Sequence, residues 1–214
     1  MRLDIPDRSF SGYIFDLDGT LVDSMPLHYR AWDAAMQEAG IGGTLDEDLF
    51  YSLGGIPTRR VAQLIAEHYG IQIDPERVVH RKESLFLSLV DQVTVIEPVA
   101  EFARAAVARG IPTAIATGGT PEVALPALEA AGLRSLFKVV ITPLDVPPGR
   151  GKPAPDMFLL AAERLGVAPE DCVVFEDAEP GIAGARAAGM TVVRVPSREV
   201  GQRAAEIERM RKAG

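Results

Sequence analysis

The chain is poor in cysteine and in long apolar runs. Cys172 is the only cysteine among 214 residues, so no disulfide can form within the chain, and a reducing compartment, the cytoplasm, is expected. Purely apolar runs, such as residues 85–87 and 172–175, span only a few residues, and the first nine residues alternate charged with apolar side chains. We therefore expect neither a transmembrane helix nor a secretory signal.

Positive charge is also scarce. Lys and Arg number 22 against 30 Asp and Glu, which gives a net charge of -8 and a pI near 5.0. A net-acidic surface repels nucleic acids and anionic membranes, so neither is an expected partner. With 47% hydrophobic and 24% charged residues the composition is that of a folded domain, expected as a monomer or weak homodimer. A small anionic substrate would need a locally basic pocket.

Strand and helix signals alternate over most of the chain. Apolar, β-rich runs at 13–16, 111–117, 137–142, 172–177 and 190–195 predict five buried strands. Helical spacing at 98–109, 121–131, 156–165 and 180–188 predicts helices that end near Gly110, Gly132, Gly166 and Gly189. This alternation predicts an α/β fold, a parallel sheet with helices on both faces.

A long segment without strand signals interrupts this pattern after the first strand. Helical spacing recurs there at 27–38, 57–69 and 75–90, with Gly-rich or acidic turns between, which predicts a small helical bundle. We expect a catalytic core formed by residues 1–23 and 91–214, and an inserted cap domain formed by residues 24–90. The tail over 197–214 is rich in Arg and Glu and is expected to be a solvated or frayed helix without an assigned function.

Reactive side chains follow four of the predicted strands. Ligands of open parallel sheets bind at the carboxyl ends of the strands, so these groups are expected to meet there. They are Asp16 and Asp18 after the first strand, Thr117 at the end of the second, Lys152 after the third, and Glu176 and Asp177 at the end of the fourth.

The carboxylates in this set predict a metal site. Without an equal number of bases they would repel one another, and hard oxygen ligands favour Mg²⁺. Asp16, Asp18, Glu176 and Asp177 form the predicted metal set. Because adjacent residues on a regular strand point to opposite faces, we expect Asp177 to be the direct ligand, with Glu176 nearby or bound through water.

Two carboxylates that are two residues apart can have different catalytic roles, one as nucleophile and the other as general acid and base. We interpret Asp16 as a nucleophile toward phosphorus, and Asp18 as the group that protonates the leaving alkoxide and later deprotonates water. A carboxylate about 4 Å from a phosphate meets repulsion of roughly 1 kcal/mol per charge pair in water and roughly 4 at a dielectric of 20. Mg²⁺ and Lys152 would offset it, Gly19 permits a sharp turn and Thr117 offers a hydroxyl.

The DLDGT stretch at 16–20 with this ordered set resembles the haloacid dehalogenase-like (HAD) hydrolase superfamily. Within it, the chain is similar to the branch of β-phosphoglucomutase and small sugar-phosphate phosphatases, notably the bacterial fructose-1-phosphatase type. The resemblance implies a Rossmann-like core, a helical cap, Mg²⁺ and a phospho-aspartyl intermediate on Asp16. It maps the second motif to Thr117, the motif lysine to Lys152 and the acidic motif to Glu176 and Asp177. Two departures are Ala178, where Ser is usual, and a second motif with few hydroxyls.

The resemblance also implies cap positions that contact substrate. His28 matches a cap histidine, Lys82 a cap lysine, and residues 55–60 a specificity loop. In the mutase an Arg of that loop holds a second phosphate, whereas Thr58 aligns here with Arg59 and Arg60 just beyond, which favours a phosphatase. The expected substrate-binding residues are Gly19, Thr20, His28, Gly55, Thr58, Arg60, Lys82 and Gly118.

The sequence leaves several functions to compare. The leading hypothesis is a Mg²⁺-dependent phosphatase that acts on a small sugar phosphate, and the alternative is a phosphosugar mutase with the same intermediate. A receiver-type phosphoacceptor domain also pairs carboxylates, Thr and Lys around Mg²⁺, but it carries its acceptor on the third strand and has no inserted helices. A catalytically idle binding protein is the remaining possibility.

Overall fold

The computed structural model describes residues 3–196, so the predicted tail helix over 197–214 lies outside the described residues. Five parallel strands form the central sheet in the order β5-β4-β1-β6-β7, and β2 and β3 form a separate antiparallel ribbon. In chain order the strands are β1 Gly12–Phe15, β2 Val22–Asp23, β3 Thr94–Val95, β4 Thr113–Ala116, β5 Val139–Ile141, β6 Cys172–Glu176 and β7 Thr191–Arg194. The predicted parallel sheet is confirmed.

Eight α-helices lie within the described residues. They are α1 Met25–Ala39, α2 Glu47–Ser52, α3 Thr58–Tyr69, α4 Pro75–Leu87, α5 Glu97–Ala108, α6 Pro121–Ala130, α7 Asp156–Leu165 and α8 Glu179–Ala187. Local sequence explains several of their ends. Asp74 accepts hydrogen bonds from the first backbone N–H groups of α4, and Gly70 ends α3 in the left-handed conformation that glycine adopts without steric cost. Within residues 3–196, no helix has both the length and the apolarity needed to cross a bilayer.

Alternating side chains of the strands build a hydrophobic layer on each face of the sheet. Phe15 of β1 belongs to one cluster with Val99 of α5 and Leu128 of α6. Ile14, one residue earlier, belongs to the other cluster with Phe158 of α7. Because both faces are covered, the interiors of the strands are apolar, and polar residues stand at or beyond the strand ends.

Helices α1 to α4 share a third hydrophobic cluster, which includes Trp32, Met36, Phe50 and Ile65. The ribbon of β2 and β3 pairs Val22 with Val95 at the point where the chain leaves the sheet and returns to it. This organisation agrees with an inserted helical unit, and the division into a core of 1–23 and 91–214 and a cap of 24–90 stays a prediction. The two-residue ribbon strands and α2 were not predicted from sequence.

Candidate active site

A cleft of about 980 Å³ opens between the carboxyl ends of the central strands and the inserted helices. It is lined by Asp16 and Asp18 after β1, Lys152 before α7, Glu176 and Asp177 at the end of β6, and His28 and Lys82 from α1 and α4. The parallel topology therefore brings groups that are distant in sequence to one edge of the sheet, as the sequence predicts.

Lys152 links the two central carboxylates of this cleft. Its Nζ donates to Asp16 Oδ1 at 2.6 Å and to Glu176 Oε2 at 2.7 Å, and all three side chains are almost completely buried. The sheet sets this spacing, because Phe15 pairs with Phe175 and the Asp16 N–H donates to the Phe175 carbonyl. Burial opposes the lysine's charge, but Asp16 and Glu176 raise the pKa of Lys152 above its usual value.

Asp16, Glu176 and Asp177 form an acidic cluster in which one oxygen from each lies within 4.8 Å of the others. Burial, with repulsion from Glu176, raises the pKa of Asp16 well above its usual value and raises that of Asp177 to about 7. Two buried carboxylates and the half-buried carboxylate of Asp177 are grouped around the ammonium of Lys152, an arrangement that a divalent cation would stabilise. The donors are all hard oxygens, so the residues fit Mg²⁺.

Glu176 and Asp177 are adjacent in sequence, and both contribute an oxygen to this cluster. The regular strand pattern predicts opposite faces for Glu176 and Asp177, but β6 ends at Glu176, so the alternation does not continue through Asp177.

The turn after Asp18 packs closely against Asp177. Thr20 donates to Asp177 Oδ1 at 3.3 Å. Gly19 has φ +82°, and a Cβ added there would lie 2.4 Å from Asp177 Oδ2, so the turn after Asp18 requires glycine.

Asp18 is not part of this acidic cluster. It instead contacts Ser24, the residue before α1, and His28 of α1. Ser24 Oγ donates to Asp18 Oδ1 at 2.5 Å, and His28 Nε2 lies 3.2 Å from the same oxygen. Burial opposes ionisation, but His28, Ser24 and Lys82 lower the pKa of Asp18 to about 2. Membership of Asp18 in the metal set stays a prediction.

Sequence reasoning missed Ser24. Its one sequence signal is a position three residues before the helix predicted at 27–38, and a serine near a helix start is typical of an N-cap. In the structure its side chain makes no capping bond to α1 and is directed to Asp18 instead. Ser24 follows Asp18 by six residues, and the hydrogen bond between them depends on how the intervening loop and β2 fold.

His28 and Lys82 approach Asp18 from the helical side of the cleft. The His28 ring stacks on Phe86 with centroids 4.0 Å apart, and Lys82 Nζ lies 5.7 Å from the ring centre of Trp32. Burial and the nearby Lys82 charge lower the pKa of His28, so it is neutral near pH 7 and Ser24 and Lys82 stabilise ionised Asp18 there. Burial also lowers the pKa of Lys82 to about 8, and Lys82 forms no ion pair within residues 3–196.

The remaining predicted substrate residues divide into two groups. Gly55, Thr58 and Gly118 line the cleft. Thr20 and Arg60 are not among the lining residues, and Arg60 pairs with Glu67 at 3.0 Å along α3. Thr117, which is predicted as a catalytic residue, does not line the cleft either, and its hydroxyl accepts from the Gly119 N–H at 3.0 Å. Arg59, which was not in the predicted set, does line the cleft and pairs with Glu76 at 3.1 Å.

Known proteins share this sequence and architecture. The sequence model of the haloacid dehalogenase-like hydrolase family matches residues 10–189. Fructose-1-phosphate phosphatase YqaB of Escherichia coli K12 is 40% identical over 187 residues, which cover 87% of this chain and 96% of that protein. Beta-phosphoglucomutase of Bacillus subtilis is 29% identical over 85% of this chain and 81% of its own. Crystalline CbbY from Rhodobacter sphaeroides in complex with phosphate is similar at a TM-score of 0.79 and 24% identity, over 87% of this chain and 86% of that chain, which shows a common fold.

The chain belongs to the haloacid dehalogenase-like hydrolase family. The resemblance inferred from the DLDGT stretch and the later motifs is thereby confirmed, as is the α/β fold class. The chain is an enzyme of the hydrolase class.

Proposed function

We propose that the chain is a Mg²⁺-dependent phosphatase that hydrolyses a small sugar phosphate through a phospho-aspartyl intermediate on Asp16. The observation that carries the proposal is the position of Asp16. Asp16 directly follows β1 at the floor of the cleft, where one of its oxygens lies 2.6 Å from Lys152 Nζ and belongs to the acidic cluster with Glu176 and Asp177. A carboxylate in this position can approach a phosphate only where positive charge surrounds both groups.

Asp16, Glu176 and Asp177 are the residues that would hold the metal. When bound, Mg²⁺ would neutralise charge on the carboxylates and on the phosphate and so favour their approach. Lys152 supplies the second positive charge, and its two hydrogen bonds fix the orientation of the Asp16 carboxylate before substrate arrives. Such preorganised charge lowers the barrier without reorganisation during the reaction.

The proposed reaction has two displacements at phosphorus. In the first, an Asp16 carboxylate oxygen bonds to phosphorus, the bond from phosphorus to the ester oxygen breaks, and Asp18 gives its proton to that oxygen. In the second, Asp18 removes a proton from water as the water oxygen bonds to phosphorus, and the bond to Asp16 breaks. Phosphate and free Asp16 result.

The low pKa of Asp18 bears on the first step. At about 2 it keeps the carboxylate ionised in the free enzyme at neutral pH, so Asp18 starts as a base. A bound phosphate dianion nearby raises the pKa of a carboxylate, which lets Asp18 take up the proton that it then donates. The bonds from Ser24 and His28 hold the carboxylate in place for both transfers.

Two observations support a sugar phosphate as the substrate. The relative with 40% identity is named for fructose-1-phosphate, and it is covered over 96% of its length. The helical side of the cleft provides Lys82, a buried cation without an ion-pair partner among residues 3–196, which can receive the hydroxyl or anionic groups of a polar leaving group. Thr58 lines the cleft, while Arg59 and Arg60 are already paired with Glu76 and Glu67, so a second phosphate finds no unpaired arginine in this loop. This favours hydrolysis over mutase chemistry.

Phosphate release from a panel of sugar phosphates, including fructose 1-phosphate, tests the proposal. With Mg²⁺ present we expect free phosphate from at least one ester, and none from the Asp16→Asn variant. An isomerised phosphosugar without free phosphate would establish the mutase alternative. Full turnover by Asp16→Asn would refute the assignment of the nucleophile.

A further inference from the structure

The carboxylate of Glu176 occupies the space where a side chain of residue 181 would begin. Gly181 lies in the first turn of α8, and a Cβ added to it would lie 2.1 Å from Glu176 Cδ, 2.2 Å from Oε2 and 2.5 Å from Oε1. Real Cβ atoms do not approach other atoms so closely. Any residue other than glycine at this position therefore has to displace the Glu176 carboxylate.

The Glu176 carboxylate cannot move aside without cost, because it is buried and hydrogen-bonded. Its side chain is about 2% exposed, its Oε2 accepts from Lys152 and its Oε1 accepts from the Ala178 N–H at 3.2 Å. A displacement of the carboxylate therefore breaks at least one of these bonds. Because Lys152 holds Asp16 with the same ammonium group, a displacement of Glu176 is transmitted to Asp16.

The reason for glycine at this site is not backbone conformation. Gly181 has no positive φ and sits within a helix, where glycine is less favourable than alanine. Gly184 in the same helix differs, because a Cβ there would meet the Ala154 carbonyl at 3.0 Å and the Phe158 ring at 3.1 Å, a packing constraint. Of the two glycines in α8, only Gly181 has a carboxylate of the site as its neighbouring group.

We propose that Gly181 is a positioning residue for catalysis, which sets the Glu176 carboxylate, and through Lys152 the nucleophilic carboxylate of Asp16, by leaving its own Cβ position free. The proposal rests on the proposed phosphatase function for its catalytic consequence. It makes no claim of contact between Gly181 and substrate. Its physical content is that residues 176 and 181 compete for one volume.

A double-mutant cycle tests this competition. The variants are Gly181→Ala, Glu176→Asp, the two together, and Gly43→Ala as a matched control, since a Cβ added at Gly43 meets nothing within 4 Å. Aspartate is one methylene shorter and withdraws its carboxylate from the added Cβ. The measurements are kcat and KM with Mg²⁺, and the thermal unfolding midpoint in chelator without metal.

We expect Gly181→Ala to lower kcat by about 100-fold, the loss typical of a misplacement near 1 Å, with KM little changed. The double variant should have a kcat close to that of the slower single variant, and the control should match the native enzyme. A purely structural role for Gly181 predicts a lower midpoint with unchanged kcat, which would overturn the proposal, as would effects on kcat that multiply.

The metal-free midpoint decides the question without turnover. We expect Gly181→Ala to lower the unfolding midpoint more in the native background than in the Glu176→Asp background, because the shorter aspartate relieves the clash. An equal shift in both backgrounds would overturn the proposal. If Gly181→Ala alone does not fold, recovery of folding in the double variant supports the competition and continued failure refutes it. Absence of phosphate release by the native enzyme would refute the proposed function and leave this stability test intact.

Discussion

Replacement of Lys82 by Met should make the protein more stable and less active. Lys82 is 6% exposed, and its ammonium has aromatic neighbours but no ion-pair partner within residues 3–196. Burial lowers its pKa from 10.5 to about 8. Methionine keeps most of the apolar stem and removes the charge, so the variant no longer has the cost of a buried, unpaired cation.

The size of the gain follows from the shift in pKa. The decrease in the pKa of Lys82 from 10.5 to about 8 corresponds to about 3 kcal/mol of stability, at roughly 1.36 kcal/mol for each pKa unit. For a chain of this length that is an increase in the unfolding midpoint of roughly 6 to 12 °C. Between pH 8 and 10.5 the unfolded chain binds the proton that folded Lys82 has released, so the native protein gains stability as pH rises. The advantage of the variant is therefore complete below pH 8 and disappears toward pH 10.5.

Thermal unfolding of both proteins from pH 7 to 10.5 measures this difference directly. Lys138→Met, at an exposed lysine, is the matched control and should show no comparable gain. Because Lys82 lines the cleft, kcat/KM of Lys82→Met should fall by roughly tenfold or more. A variant that is no more stable than the native protein at pH 7, or whose gain does not depend on pH, would refute the reasoning.

Three further predictions concern the floor of the cleft. Asp16→Asn should abolish phosphate release, whereas Asp91→Asn at an exposed position should retain it, as a steady-state assay of both would establish. Chelation should remove activity and added Mg²⁺ restore it, and Asp177→Ala should require more Mg²⁺ for half-maximal rate; activity that survives exhaustive chelation contradicts the metal assignment. Ser24→Ala removes a hydrogen bond that lowers the pKa of Asp18, so the acidic limb of the rate profile should move to higher pH; an unmoved limb would show that Ser24 does not act on Asp18.

The sequence predicts the floor of the cleft well for a topological reason. Parallel strands of one sheet end at the same edge, so reactive residues such as Asp16 and Lys152 converge although 136 positions separate them. Buried strands and helices of ordinary length also carry strong periodic signals, and α7 begins and ends at the predicted residues. Where the structure depends on periodicity and connection order, sequence reasoning is sufficient.

The sequence does not predict features that depend on side-chain direction or on very short elements. The two residues of β2 and of β3 are too few to show a period. The Arg60 side chain extends along α3 and pairs with Glu67 instead of lining the cleft. The specificity-loop pattern does not determine which of these two directions the side chain takes. The contact between Gly181 and Glu176 joins a helix to the preceding strand end, and no composition signal distinguishes it from an ordinary helical glycine.

The identity of the nucleophile is the central claim, and chemical trapping of the intermediate tests it most directly. Enzyme mixed with substrate and Mg²⁺ is quenched in acid within the first turnover and treated with borohydride, which reduces an aspartyl phosphate to homoserine. Peptide mass spectrometry should find homoserine at position 16 and nowhere else. Turnover with unmodified Asp16, or homoserine at another position, would contradict the account.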